Sequence, residues 1–175
     1  MNWTELLNVE SAASYKATEG LFTLVTDDML EWRPETGSNW MTVGQLMLHI
    51  TSACGACMKG FVTGDWDLPE GQDYEDMPEE SMLPPAEDMP AVESVAQAVD
   101  LLAVDRMLAH EMLERAGEED LEHKMQSAPW SPDVMRPLGH HLLNMVGHLE
   151  SHKAQLFYYL KLQGLPVHTG NLWGM

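Results

Sequence analysis

The sequence predicts an all-α fold: a four-helix bundle with a long acidic crossover between the second and third helices. Apolar residues recur every three or four positions in four long stretches, as they do in helices that bury one face. No stretch shows a convincing alternating strand pattern, and no internal repeat is visible. We expect the 175 residues to form a single domain, 1–175, that is long enough to bury a substantial core.

The first two predicted helices have recognisable ends. The first covers about residues 4–31 and ends near Pro34, because proline disfavours helical geometry in the residue before it. The second begins at Thr42, which has Gln45 three residues later, at the spacing of a capping box. Its apolar positions continue to about Gly64, where we expect the helix to end.

The last two predicted helices each end at a glycine. The third covers about residues 91–116, and Gly117 is expected to be its C-cap. The fourth covers about residues 138–163 and is followed by Gly164. Residues 118–137 form a shorter connection between these two helices, and the tail after the fourth helix is rich in turn-forming residues.

Acidic side chains dominate the charge of the chain. The net charge of -19 argues against nucleic acid and anionic membranes as partners, because their phosphates would be repelled. Many of the acids lie in residues 65–90, which also contain five prolines. We interpret this crossover as a solvated loop, with a lid over a nearby site as a further hypothesis.

The sequence shows no membrane or secretion signal. No apolar stretch approaches the roughly 20 residues that cross a bilayer. The N-terminus lacks the basic region and apolar run of a secretory signal peptide. A cytoplasmic location is therefore the expectation.

The two cysteines, Cys54 and Cys57, are spaced C-x-x-C within the second predicted helix. Cys57 shares the apolar face of that helix, and Cys54 lies at its edge. We interpret both as small core residues, and a redox pair or a reactive thiol is the alternative.

Three histidines are the most informative feature of the sequence. His148 and His152 are four residues apart and project from one face of the fourth predicted helix. His49 flanks the apolar face of the second predicted helix. Together they could form a three-histidine metal site with open positions, although a histidine at the edge of a core is often only a packed residue. Imidazole suits zinc, nickel, copper and iron alike.

Three further residues are weaker candidates for substrate binding. His141 shares the face of His148, and it could either support the site or point to solvent. Gln155 follows His152 by three residues and could form a hydrogen bond near the site. Arg106 could bind a substrate carboxylate, but we favour a pairing with an acidic side chain.

The sequence resembles the DinB-like (DinB/YfiT) four-helix-bundle proteins over nearly its whole length. The matching segments are Trp32-Arg-Pro34, Asn39-Trp-Met-Thr-Val-Gly-Gln-Leu-Met-Leu-His49-Ile50 and Gly147-His148-Leu-Glu-Ser-His152-Lys-Ala-Gln155-Leu, continuing through Tyr159 to Gly164. Two positions depart from the common pattern of that family. Asn144 stands where many members have a further histidine, and Lys153-Ala154 replaces an Arg-Gly pair.

The resemblance implies a metal-dependent enzyme that holds a divalent ion, nickel or zinc, on His49, His148 and His152. It also implies a small-molecule substrate and a transferase or hydrolase reaction, with a low-molecular-weight thiol as a candidate cosubstrate. A homodimer is another expectation. The alternative is a non-catalytic, stress-related or binding protein with a structural or vestigial metal site.

Overall fold

Six helices and one β-hairpin make up the computed structural model, which describes residues 2–68 and 84–175. The helices are α1 (Trp3–Phe22), α2 (Val43–Ile50), α3 (Gly55–Thr63), α4 (Val95–His123), α5 (Leu138–Leu162) and α6 (Thr169–Trp173). The strands are β1 (Met125–Ala128) and β2 (Ser131–Pro137), and single 3-10 turns lie at Asp27–Met29 and Ala86–Asp88. Within the described residues, no helix is long and apolar enough to cross a bilayer.

Helices α4 and α5 pack against each other and against both α1 and α3, and α2 packs on α5 and α4. They enclose one hydrophobic core, to which every one of these helices contributes fully buried side chains. Its fully buried members include Leu7, Leu21, Leu46, Ile50, Met58, Leu102, Leu113, Leu149 and Leu156. Helix α5 contacts all the other long segments, so a residue on α5 can meet side chains from α2 and α3.

The first helix ends at Phe22, and the prediction that it continues to residue 31 is wrong. The chain turns after Thr23 and forms the 3-10 turn Asp27–Met29 instead. The turn places Asp27 where its side chain can reach the start of α4, a position that a continued helix would not give it. The carboxylate of Asp27 accepts a hydrogen bond from the backbone N–H of Val95 (2.8 Å) at the start of α4.

The second predicted helix is broken into α2 and α3 by a turn at residues 51–54. The cause is Asp105, a buried aspartate on α4 whose carboxylate accepts hydrogen bonds from the backbone N–H groups of Gly55 (3.0 Å) and Ala56 (2.8 Å). A continuous helix would need those two N–H groups for its own ladder. A Cβ atom at Gly55 would lie 2.0 Å from the carbonyl oxygen of Asp105, so only glycine allows this close approach of α3 to α4.

Helix α4 is interrupted at Gly117, where the sequence predicted its end, but helical geometry resumes after the glycine and continues to His123, which was not predicted. The glycine does have the positive φ of a C-cap (+68°), but it introduces a kink and the helix resumes. Just after the kink, the carboxylate of Glu118 accepts hydrogen bonds from the backbone N–H groups of Trp3 (2.8 Å) and Thr4 (2.9 Å). The extension therefore caps the start of α1.

The β-hairpin corrects the prediction of a fold without strands. Strands β1 and β2 are antiparallel, with Met125 opposite Pro137, Ala128 opposite Ser131, and an irregularity between them. Strand β1 has only four residues and lacks the alternating β-branched pattern by which a strand is recognised in a sequence. The predicted connection 118–137 is thus the end of α4 followed by this hairpin.

The fourth predicted helix corresponds to α5, which ends one residue earlier than expected and is followed by Gly164 at φ +85°. Most of the acidic crossover, residues 69–83, lies outside the described residues. The tail contains the short helix α6. Its Trp173 lies 5.5 Å from the ammonium group of Lys153, a buried lysine of α5 that also pairs with Glu150 (2.6 Å).

We predict that Asp105→Ala lowers the free energy of unfolding by about 3 kcal/mol, because it leaves several buried hydrogen-bond donors without an acceptor. Urea denaturation of the metal-free protein measures this loss. Tyr15→Phe is the matched control, since it removes only the hydroxyl that donates to Asp105 (2.6 Å), and should cost about 1 to 2 kcal/mol. Equal stability of Asp105→Ala and the parent would contradict the assigned role of Asp105.

Candidate metal site

Hydrogen bonds at the start of α2 fix the position of the helix that carries His49. The Thr42 hydroxyl accepts from the Gln45 N–H (3.2 Å), and the Gln45 side-chain oxygen accepts from the Thr42 N–H (2.8 Å), which confirms the predicted capping box. The Gln45 amide nitrogen also donates to the carbonyl of Met89 (2.7 Å). Helix α2 is therefore fixed at its first turn, and His49 lies in its last.

The structure brings the imidazoles of His49, His148 and His152 together. The Nε2 atom of His49 lies 3.2 Å from Nε2 of His148 and 3.1 Å from Nε2 of His152. Candidate ligand atoms of all three lie within 4.8 Å of one another. Metal–nitrogen bonds of about 2.0 to 2.1 Å place neighbouring nitrogens about 3.3 Å apart in a tetrahedral site and about 2.9 Å apart in an octahedral one. The observed spacing lies between these two values.

Hydrogen bonds at the far side of two rings determine which nitrogen carries the proton. Nδ1 of His148 lies 3.1 Å from the carbonyl oxygen of Ala53, and Nδ1 of His152 lies 3.1 Å from the side-chain oxygen of Gln155. Both oxygens can only accept, so each Nδ1 must donate a proton. In the neutral imidazoles, Nε2 of His148 and of His152 therefore carries a lone pair.

The orientation of Gln155 is itself fixed by a chain of hydrogen bonds. Its amide nitrogen donates to the Tyr159 hydroxyl (3.0 Å), and that hydroxyl donates to the carbonyl of Met41 (3.1 Å). A flipped amide would present its nitrogen to His152 and its oxygen to Tyr159, whose proton is already used for Met41. The chain thus holds the Gln155 oxygen toward His152.

This donor set fits a cation. The lone pairs of His148 and His152 both face Nε2 of His49, which carries at most one proton when neutral. One proton on Nε2 of His49 cannot satisfy both of these acceptors in good geometry. Without a cation, at least one of the two short nitrogen–nitrogen contacts would therefore bring two lone pairs face to face. A divalent ion at this point would bind all three nitrogens. The three histidines are thus a group that could hold a metal ion.

Burial keeps the three imidazoles neutral. It lowers the pKa of His49 from 6.5 to about 4, with additional contributions from the neighbouring His152 and His148. Burial also lowers the pKa of His148 and of His152, and the hydrogen bonds to Ala53 and Gln155 oppose this only in part. At neutral pH all three nitrogens are available to a metal without loss of a proton.

The turn that breaks the second helix also positions His148. Ala53 lies in that turn, and its carbonyl accepts from the His148 ring. Two residues later, the N–H groups of α3 bind Asp105, whose carboxylate also accepts from Tyr15. Sequence reasoning did not find this support, because a backbone carbonyl leaves no residue-type signal and Asp105 is distant in sequence.

The weaker candidates occupy different places. Gln155 contacts His152 as described above. His141 is buried rather than solvent-facing: its ring stacks on Phe61 (centroids 4.5 Å apart) and Nε2 donates to the carbonyl of Gln126 (2.9 Å). Arg106 is paired with Glu19 of α1 (2.6 Å), as the favoured interpretation predicted.

Both cysteines are free thiols, and burial disfavours their ionised form. Cys54 is fully buried at the start of α3, and burial raises its pKa strongly. Burial raises the pKa of Cys57 to about 11, with the nearby charge of Asp105 adding to the effect. Thiols with raised pKa values are poor nucleophiles at neutral pH, which favours the interpretation of both as packing residues.

Comparison with known proteins places this fold in a family. The model of the DinB superfamily matches residues 12–156. The chain belongs to the DinB superfamily. A crystal structure of a DinB-like protein from Bacillus cereus ATCC 10987 superposes with a TM-score of 0.66 at 19% identity, covering 94% of this chain and 95% of that one. This likeness shows a shared fold. No curated protein matches the sequence.

We predict that the metal-free protein loses stability as the pH falls from about 6.5 to about 4, because the unfolded imidazoles bind protons that the folded ones do not. The loss attributable to His49 should be about 1 to 2 kcal/mol, less than the full linkage value because the ring is only half-buried. Urea unfolding in the presence of a chelator, at pH 7 and pH 4.5, measures it. His49→Gln should show a smaller loss over the same interval, and an identical loss would contradict the assigned pKa.

Proposed function

We propose that this DinB-superfamily protein is a metal-dependent enzyme whose divalent ion, zinc or nickel, is held by His49, His148 and His152. The proposal rests on the orientation of two imidazole rings. The Nε2 lone pairs of His148 and His152 are both directed at Nε2 of His49, at 3.2 and 3.1 Å. These distances are close to those between two nitrogens bound to one metal ion. Packing alone gives no reason to turn the acceptor atoms of two half-buried rings toward each other.

A catalytic role is supported by the coordination positions that three protein ligands leave open on a metal ion. Three protein ligands are typical of catalytic sites, whereas structural zinc is normally closed by four. The described part of the chain contributes three neutral imidazoles and no carboxylate to the group. When bound there, a divalent ion supplies an undiminished double charge that lowers the pKa of a water or a thiol.

The residues around the site orient the histidine rings and keep them neutral. Ala53 and Gln155 hold two rings in one tautomer, and burial lowers the pKa of all three histidines, which keeps them neutral. Such a site suits two reactions of a small molecule: transfer of the sulfur of a low-molecular-weight thiol to an electrophilic carbon, and hydrolysis. We favour thiol transfer as the first activity to test, with a cytoplasmic location and a homodimer as further parts of the proposal.

We predict about one zinc or nickel ion per chain after reconstitution and desalting, and its loss in His148→Ala. Gln155→Ala should bind the ion about 10- to 100-fold more weakly, because the His152 ring loses the acceptor that orients it. Elemental analysis and competition with a chromophoric chelator measure both effects. His110→Ala is the matched control, since this exposed histidine of α4 lies beside Glu114 (3.6 Å) and should leave the stoichiometry unchanged.

Activity is then tested on the loaded protein. Thiol transfer is followed as arylation of N-acetylcysteine by 1-chloro-2,4-dinitrobenzene, which releases chloride and a proton, and hydrolysis is followed with 4-nitrophenyl acetate. Turnover that disappears in His148→Ala and persists in His110→Ala supports the enzyme. Stoichiometric metal without either activity would favour the non-catalytic binding protein, and absence of metal in the reconstituted parent would overturn the proposal.

A further inference from the structure

A cleft of about 450 Å³ lies between the hairpin and the first half of α5. Trp130, Val134 and Arg136 line it from the hairpin side, and His141, Asn144 and Met145 line it from α5. A volume of this size accommodates a small organic molecule of one or two rings.

Helix α5 contributes residues both to the cleft and to the histidine cluster. Asn144 precedes His148 by four residues, which is one helical turn and a rise of about 6 Å. His141, Asn144 and His148 follow the three- and four-residue spacing that places side chains on one helix face. A molecule in the cleft could therefore reach toward the cluster without leaving the surface of α5.

One wall of the cleft is aromatic and held by its neighbours. Trp130 is 48% exposed, so its ring is accessible. Its ring centroid lies 5.8 Å from that of Phe61 and 5.8 Å from that of Trp66, both edge-to-face, and Phe61 stacks on His141. A large aromatic side chain that is both restrained and accessible offers a flat apolar surface to a ligand.

The cleft contains a cation in a strongly acidic chain. Among the described residues that line it, Arg136 is the one with a permanent charge, and its guanidinium donates to Nε2 of His140 (3.3 Å). Within the described ranges, no carboxylate lies at ion-pair distance from Arg136, although the sequence has 28 acidic and 9 basic residues. The planar donors of an arginine match a carboxylate, which can bind two of them at once.

We propose that this cleft binds the substrate of the metal site, and that the substrate is an aromatic carboxylate. Its ring lies against Trp130, its carboxylate binds Arg136, and the part beside Asn144 is presented to the histidine cluster. This inference rests on the proposed function, because it assigns the cleft to the same reaction. The neutral imidazoles of the site would not by themselves select an anion.

Isothermal titration calorimetry on the full chain tests the inference by measuring the binding of naphthalene-2-carboxylate. Naphthalene-2-carboxamide is the uncharged analogue for comparison. We expect the carboxylate to bind at least 10-fold more tightly than the carboxamide. Arg136→Gln should remove that difference, while Trp130→Ala should weaken both compounds. Arg115→Gln, which replaces an exposed arginine on α4, is the control for overall charge and should change neither affinity.

Two comparisons separate this inference from the proposed function. His148→Ala should still distinguish the carboxylate from the carboxamide, because the arginine and not the metal selects the anion. Both cleft variants should keep about one metal ion per chain and native circular dichroism. Three results would overturn the inference: equal affinities of the two compounds for the parent, an unchanged preference for the carboxylate in Arg136→Gln, or loss of that preference in His148→Ala. None of these results would contradict metal binding by the three histidines of the parent protein.

Discussion

The buried carboxylate of Asp105 is the interaction on which the arrangement of the site depends. It accepts the first N–H groups of α3 and the hydroxyl of Tyr15, and so breaks one predicted helix into two. The break creates a turn whose Ala53 carbonyl accepts from the His148 ring and sets its tautomer. A buried aspartate is costly unless its oxygens are fully hydrogen-bonded, and here the donors that stabilise it are the same groups that define the turn. Fold and site thus share one set of hydrogen bonds.

The electrostatics of the protein differ between its surface and its site. The net charge of -19 attracts cations over the whole surface, which favours the arrival of a metal ion. Within residues 2–68 and 84–175, no acidic side chain belongs to the histidine group, so a bound ion would keep its charge. Screening limits the field of distant carboxylates to about 8 to 10 Å at physiological salt. A single arginine at a cleft can therefore provide a local site for an anion in spite of the overall charge.

Sequence patterns predicted the parts of this molecule that are local. The capping box at Thr42, the extent of α5 and the pairing of His148 with His152 on one face all depend on residues within a few positions of one another. The break at 51–54, the course of the chain after Phe22 and the support of His148 depend on long-range partners. At Gly117 the interruption of the helix was predictable, but the helical turns that follow it, where Glu118 accepts from the start of α1, were not. The hairpin was missed because β1 is too short and too polar to show a strand period.

X-ray absorption spectroscopy at the metal edge of the reconstituted protein tests the central claim most directly, because it counts the imidazoles around the ion. The account predicts three imidazole ligands at about 2.0 to 2.1 Å for zinc in the parent protein. It also predicts no sulfur scatterer, since the thiols of Cys54 and Cys57 belong to the packed region around Tyr15 and Asp105. A first shell with sulfur, or with fewer than three imidazoles in the parent protein, would contradict it.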